Sequence, residues 1–153
     1  MKTFLKIIGI LTLLAGIFFG YIFYNGYSRG PEISERVTNF LYLASKNDAI
    51  SAYDFFTEAL KNSLLFEAFA DDIELHFARV SFEKQEQTGF YFMLGMPGSS
   101  KYNILKLRRI YMYDGIITYS RGYEGTVSVV FVREDGQWKI DAFGIPDPYN
   151  NTN

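Results

Sequence analysis

The chain has 153 residues, 48% hydrophobic and 18% aromatic, with a net charge of −2. That suffices for one domain with a real hydrophobic core, and the charge argues against a nucleic-acid partner. With no cysteine and a single histidine, His76, disulfides, thiolate metal sites, cysteine nucleophiles and multi-histidine metal centres are excluded, so neither metal nor cofactor is expected.

No charged residue lies between Lys6 and Arg29, and Ile7 to Tyr24, IIGILTLLAGIFFGYIFY, is almost wholly apolar. At 1.5 Å per residue this run spans about 27 Å, roughly one hydrocarbon core. Residues 1–30 therefore read as a membrane anchor, with residues 7–24 in the bilayer. Lys2 and Lys6 before the run place the N-terminus in the cytoplasm and the rest outside, a bias that Arg29 and Arg36 weaken. Tyr21, Tyr24 and Tyr27 fit the outer interface. A cleaved signal peptide is the competing reading. Its apolar stretch normally runs about 7–15 residues before a small-x-small site. This run is longer, and Gly26-Tyr27-Ser28 is a poor site.

Residues 31–146 read as one α+β domain. Gly30-Pro31-Glu32 has the form of a helix start, and Ile33, Val37, Phe40, Leu41 and Ala44 follow at helical spacing. Asn47-Asp48 ends that helix and caps the next, whose stripe is Ala49, Ala52, Tyr53, Phe56 and Leu60. After the break at Asn62-Ser63, Leu65, Phe66, Phe69, Ile73, Phe77 and Val80 form a third helical stripe. Gln85-Glu86-Gln87 reads as a connection, 89–95 as a strand and 96–100 as a loop. Segments 102–113 and 116–121 flank Asp114-Gly115, and 126–133 and 137–144 flank Asp135-Gly136. Both dipeptides are hairpin turn signals. Gly122 and Gly125 suggest a bulge or sharp bend. The tail, 147–153, is expected to fray. Helices segregated from antiparallel strands give about three helices packed on a curved sheet.

The second turn sets a register in which Arg133 faces Trp138, Phe131 faces Ile140 and Val129 faces Ala142. Val127, Val129, Phe131, Trp138, Ile140 and Ala142 then share the buried face. Trp138, the single tryptophan, lies at the turn end of it, with Arg133 able to cover the indole. Asp141 and Phe143 fall on the opposite face. In the first hairpin, Arg109 alternates with Leu105, Leu107, Tyr111 and Tyr113. Tyr102, Ile104, Ile110, Met112, Ile117 and Tyr119 look the better core, which puts Arg109 on the open face.

Two segments, AYDFFTEALKNSLLFEAF and GTVSVVFVREDGQWKIDAF, resemble the nuclear transport factor 2-like superfamily, and in particular its small membrane-anchored bacterial members of unknown function. The likeness rests on Ala52-Tyr53, Phe66, Phe69, the strand 126–133 and Asp135-Gly136-Gln137-Trp138-Lys139-Ile140, and covers most of 33–144. It implies a curved sheet wrapping helices around a pocket, and it implies no particular reaction, since fold and function separate. Steroid-isomerase-like members use a pocket carboxylate as base and a tyrosine on the oxyanion. Here Asp141 points away from the core in the register above, and Asp54 lies off its helical stripe. His76 beside Asp71, Asp72 and Glu74 fits a solvated helix face better than a metal or acid–base site.

The aromatic load is the unusual feature. Tyr53, Tyr102, Tyr111, Tyr113, Tyr119 and Trp138 either line a cavity for an apolar ligand or fill the core, and core filling is the commoner use. The expectation is a non-enzymatic single-pass membrane protein. Its exported domain would bind a small apolar ligand or a protein partner in the cell envelope, with Tyr53, Tyr119, Trp138 and Arg109 as contact candidates. Assembly scaffolds such as the inner-membrane proteins of type IV secretion share this topology. An isomerase or dehydratase using a pocket carboxylate is the alternative.

Overall fold

The computed structural model describes residues 2–77, 80–95 and 108–145. Among these residues four α-helices precede a curved four-stranded antiparallel sheet in the order β1-β2-β3-β4, so the fold is α+β. The helices are α1 (Lys2–Ser45), α2 (Ala49–Tyr53), α3 (Glu58–Ser63) and α4 (Phe66–Phe77). The strands are β1 (Phe82–Gly95), β2 (Arg108–Tyr119), β3 (Glu124–Glu134) and β4 (Gln137–Gly144). The expected loop at 96–100, the residues Tyr102, Ile104, Leu105 and Leu107, and the tail lie outside the described residues.

Helix α1 does not restart at Pro31. It runs through the proline for 44 residues, about 66 Å at the α-helical rise. An interior proline costs about 3 kcal/mol, because it removes one backbone hydrogen bond and crowds a carbonyl of the preceding turn. Packing on both sides offsets that cost, since Gly26, Gly30, Ile33, Val37, Phe40, Leu41 and Ala44 are all buried. The described side chains before Ile22 are exposed. Among the described residues α1 is the helix long and apolar enough to cross a membrane, with an 18-residue window of mean hydropathy 2.2 that makes no buried contact.

Small residues set how closely α1 lies on the sheet. Gly26, Gly30, Ser34 and Thr38 recur every four residues, on one helix face. A Cβ on Gly26 would lie 2.6 Å from Phe90 Cε2 and 3.1 Å from Phe92 Cβ. Beyond the glycines the contact turns polar. The Gln85 amide donates to the Ser34 and Thr38 hydroxyls at 2.8 and 3.0 Å, and the Gln87 amide donates to the Tyr111 hydroxyl at 3.1 Å. Gln85 and Gln87 are thus part of β1, not a connection. Gln85 bonds to polar groups on the helix face that the sheet covers, and Gln87 bonds within the sheet to Gly89 and Tyr111.

The short helices follow their caps. The Asp48 carboxylate accepts from the Ser51 amide and the Thr57 hydroxyl accepts from the Leu60 amide, which satisfies otherwise orphaned donors. The stripe expected from Ala49 to Leu60 is therefore broken by residues 54–57. That break is used: the Ile140 amide donates to the Phe55 carbonyl at 2.7 Å, and the Thr57 amide donates to the Ile140 carbonyl at 2.8 Å. The segment thereby covers part of the outer edge of β4. Helix α4 covers the middle of the third stripe, from Phe66 to Phe77, with Phe69 and Ile73 buried, while Leu65 and Val80 lie outside the helix.

Asp114-Gly115 is not a turn. Strand β2 runs straight through it, and Gly115 pairs with Gln87 on one side and Val127 on the other. A Cβ there would meet the Tyr113 hydroxyl at 2.7 Å and the Glu86 carbonyl at 2.8 Å, so the glycine admits the tyrosine ring to the sheet surface. Residues 108–113 and 116–119 are therefore one strand and not the two arms of a hairpin. Tyr111 pairs with Phe92 and Phe131, and Arg109 pairs with Leu94. The buried face of β2 carries Tyr111, Tyr113, Ile117 and Tyr119. The turn that joins β2 to β3 is a 3-10 turn at Ser120–Gly122, where Gly122 takes a positive φ of 75°.

Asp135-Gly136 is a turn, with φ of 48° and 80°, the left-handed backbone that a tight two-residue hairpin needs. The register holds from Glu134↔Gln137 to Phe131↔Ile140 and then shifts, so that Val130, not Val129, faces Ala142. This β-bulge reverses the sense of β4 beyond Ile140. Asp141 turns inward, Ala142 outward, and Phe143 packs against the core, which inverts the expected placement of all three.

Candidate functional site

Among the described residues the core aromatics form three groups, and Tyr53, Trp138 and Tyr119 fall one in each. Tyr53 belongs to the first, with Phe40, Phe56, Phe66, Phe69 and Phe143. Its hydroxyl lies 2.7 Å from the Leu64 carbonyl and 3.1 Å from the Lys61 carbonyl, and so completes the C-terminal end of α3. This is a packing and capping role.

Trp138 belongs to the second group. It is buried, with edge-on contacts to Phe92 and Tyr111 at 6.5 and 6.3 Å between centroids. The Arg133 guanidinium lies 5.7 Å from its ring, as the hairpin register required. Phe90 stacks on Tyr111 in the same group. Arg109 is half-buried and precedes Tyr111 by two residues, on the core-facing alternation of β2 and not on the open face.

Tyr111 and Tyr113 are fully buried. Burial pushes the Tyr111 phenol above its ordinary value, and the bond from Gln87 offsets part of the shift. Burial raises Tyr113 much further, against a smaller lowering by Ser34 and a further rise from Tyr111. The Tyr113 hydroxyl has no partner in good hydrogen-bond geometry among the described residues. Ser34 therefore acts on it as a nearby dipole and not through a formed bond.

Tyr119 belongs to the third group, with His76 and Phe77. His76 Nε2 and the Tyr119 hydroxyl are 2.9 Å apart, and the imidazole tautomer decides which of them donates. His76 is thus not simply on a solvated helix face. It stands in the last turn of α4, with its ring fixed from behind by β2.

Beside this pair opens a cleft of about 490 Å³, lined by Phe69, Asp72, Ile73, Leu75, His76, Phe77, Phe143 and Ile145. The size suits a small organic molecule, and an apolar lining with few polar groups is the usual form of such sites. Two elements build it. Helix α4 presents Phe69, Asp72, Ile73, His76 and Phe77 at spacings of three and four, hence on one face. The bulge in β4 swings Phe143 round to form the facing wall. Without the bulge, Phe143 would point outward and the cleft would lose that wall.

None of the four expected contact residues lines the cleft. Tyr119 stands behind the lining, in contact with His76 and Phe77. The sequence did carry a signal for the missed wall: the apolar positions Trp138, Ile140, Phe143 and Ile145 step by two, three and two, and the odd step marks the bulge.

The buried carboxylate that an isomerase reading would want does exist. Asp141 is 8% exposed and accepts a 2.8 Å hydrogen bond from the Thr57 hydroxyl. It does not line the cleft. Among the described residues no cluster of three metal-ligating side chains occurs. No protein-family model matches the chain, and no curated protein sequence matches it.

Proposed function

We propose that the chain is a single-pass membrane protein whose domain, held outside the cytoplasm, binds a small apolar molecule carrying one hydrogen-bonding group. The observation that supports this is the α4–β4 cleft, an apolar lining with His76 held in its wall by Tyr119. The apolar body of the ligand would sit against Ile73, Phe77 and Phe143, and its polar group would meet the imidazole. Burying each methylene is worth about 0.8 kcal/mol, so a ligand of modest size gains useful affinity without strong polar contacts. Helices laid on one face of an antiparallel sheet, with a cleft between them, accord with the nuclear transport factor 2-like resemblance. Binding rather than catalysis fits the site better, because the buried carboxylate Asp141 is engaged by Thr57 and lies outside the lining.

The test uses the single histidine. In nanodiscs, the full chain labelled at His76 gives one imidazole signal, which is followed by NMR during titration with a panel of short-chain alcohols, phenols and fatty acids. A saturable shift with one class is expected, together with its loss in Ile145→Trp, which fills the cleft from its rim. A signal unmoved by every class would reject the proposal.

A further inference from the structure

Helix α1 and strand β1 run in opposite directions along their contact. Gly26 faces Phe90 and Phe92. One turn on, Gly30 faces Tyr111 and Gln87. Ser34 and Thr38, further still, meet Gln85. Moving up the helix is therefore moving back along the strand. The spacings agree: Gly26 to Thr38 is about 18 Å of helix, and Tyr91 to Gln85 is about 20 Å of strand. The two axes are close to parallel over this stretch.

The same relation runs downward. From Phe92 to the end of β1 at Gly95 the strand advances about 10 Å, the rise of about six or seven helical residues. Counted down from Gly26, that reaches the level of Gly20. Ile22, half-buried against the core, is the contact on α1 at this height. Both residues belong to the apolar run Ile7 to Tyr24. The end of the sheet where Phe92↔Tyr111 continues to Gly95↔Arg108 thus overlaps in height with the top of the segment read as the membrane span.

We infer that this end of the β1–β2 pair lies in the interfacial layer of the bilayer that α1 crosses, a second contact between the protein and the lipid surface. The inference rests on the reading of α1 as a membrane span. Exposed rings gather at this level: Phe23, Tyr24 and Tyr27 on α1, and Tyr91, 63% exposed, on β1. Amphipathic aromatic rings favour that layer. The depth has a physical limit. The outer edge of β1 needs water or headgroups for its backbone groups, and a lipid-exposed strand edge is excluded from the hydrocarbon. The contact therefore stops at the headgroups.

The absence of cysteine makes the test direct. Nitroxide labels are placed on full-length Phe19→Cys, Tyr91→Cys and Tyr123→Cys variants in vesicles of phosphatidylcholine and phosphatidylglycerol, and relaxation by oxygen is compared with relaxation by a water-soluble nickel chelate. Phe19 reports the span, and Tyr123, at the far end of the sheet, reports water. Position 91 is expected to show an oxygen-to-nickel ratio several-fold above that of 123 and below that of 19. A ratio at 91 equal to that at 123, with 19 deep, overturns the inference and leaves the span intact. A water-like ratio at 19 overturns both. Native Trp138 emission verifies that each variant is folded. A measurement on the unmodified chain guards against a failed Tyr91→Cys: the amides of 89–95 should be shielded from a soluble gadolinium chelate relative to those of 124–127, and equal relaxation rejects the contact.

Discussion

The Thr57 hydroxyl and the Asp141 carboxylate, 84 residues apart, are joined by a 2.8 Å hydrogen bond in the buried core. The same hydroxyl accepts from the Leu60 amide. One side chain therefore caps α3 and satisfies the carboxylate that the β4 bulge turned inward. Thr57→Val keeps the shape and removes both bonds. It should lower stability by about 1–3 kcal/mol, and Thr57→Ser should restore most of the loss. Urea unfolding in nanodiscs, followed by Trp138 fluorescence, measures both.

Gly115 and Gly144 make a matched pair. Alanine at 115 meets the Tyr113 hydroxyl and the Glu86 carbonyl, both under 3 Å, whereas 144 has open space. The Glu86 contact is backbone and cannot simply rotate away. Gly115→Ala should cost about 1–3 kcal/mol through overpacking, and Gly144→Ala should stay within about 0.5 kcal/mol of the parent. Equal effects would mean that Gly115 has no role in seating Tyr113.

Trp138 seals one end of the core, buried against Phe92 and Tyr111. Trp138→Ala should destabilise by about 3–5 kcal/mol, read here by circular dichroism because the fluorophore is lost. Retained stability would contradict a core role.

Alkaline pH should destabilise the domain through its two buried tyrosines. Tyr111 and Tyr113 have folded-state values above the ordinary 10.0. A raised value means that the folded state holds its protons where the unfolded chain has released them. Stability is then fully present below about pH 10 and falls as pH rises through the folded-state values. Tyr113→Phe should flatten that fall. Melting temperatures between pH 8 and 11 would show it, and a Tyr113→Phe curve parallel to the parent would exclude Tyr113 as the cause.

The direction of the chain is checked by a periplasmic reporter fused after Asn153, which should be active. A reporter active only in the cytoplasm would reverse the proposed topology.

Where the sequence was readable, one physical signal pointed one way. Asp135-Gly136 lies between two strands with clean alternation, so turn and register agree as far as Ile140. Asp114-Gly115 carries the same letters, yet Ile110 to Met112 and Ile116-Ile117 are apolar on both parities. Nothing local fixes which face is buried, and the glycine serves close approach instead of a turn. Pro31 misled for a related reason, because helix-start chemistry was outweighed by packing on both sides of it. The Gly26, Gly30, Ser34 and Thr38 series is legible as small residues at helical spacing, though it adds nothing to an apolar stripe. The cleft was the least legible feature. Its facing wall depends on one inserted residue in β4, and a single bulge moves Phe143 and Asp141 to opposite sides from those a strict alternation assigns.

Because α1 passes unbroken from its exposed apolar half into the half that packs on the sheet, the domain has no hinge of its own there. Its facing is set by helical phase. Inserting one residue between Tyr21 and Gly26 would turn the whole sheet by about 100° around the helix and lift it by about 1.5 Å. Four insertions would nearly restore the facing while raising the domain by about 6 Å. The helix therefore acts as a keyed shaft, which fixes the compass bearing of the cleft relative to the exposed apolar half of α1.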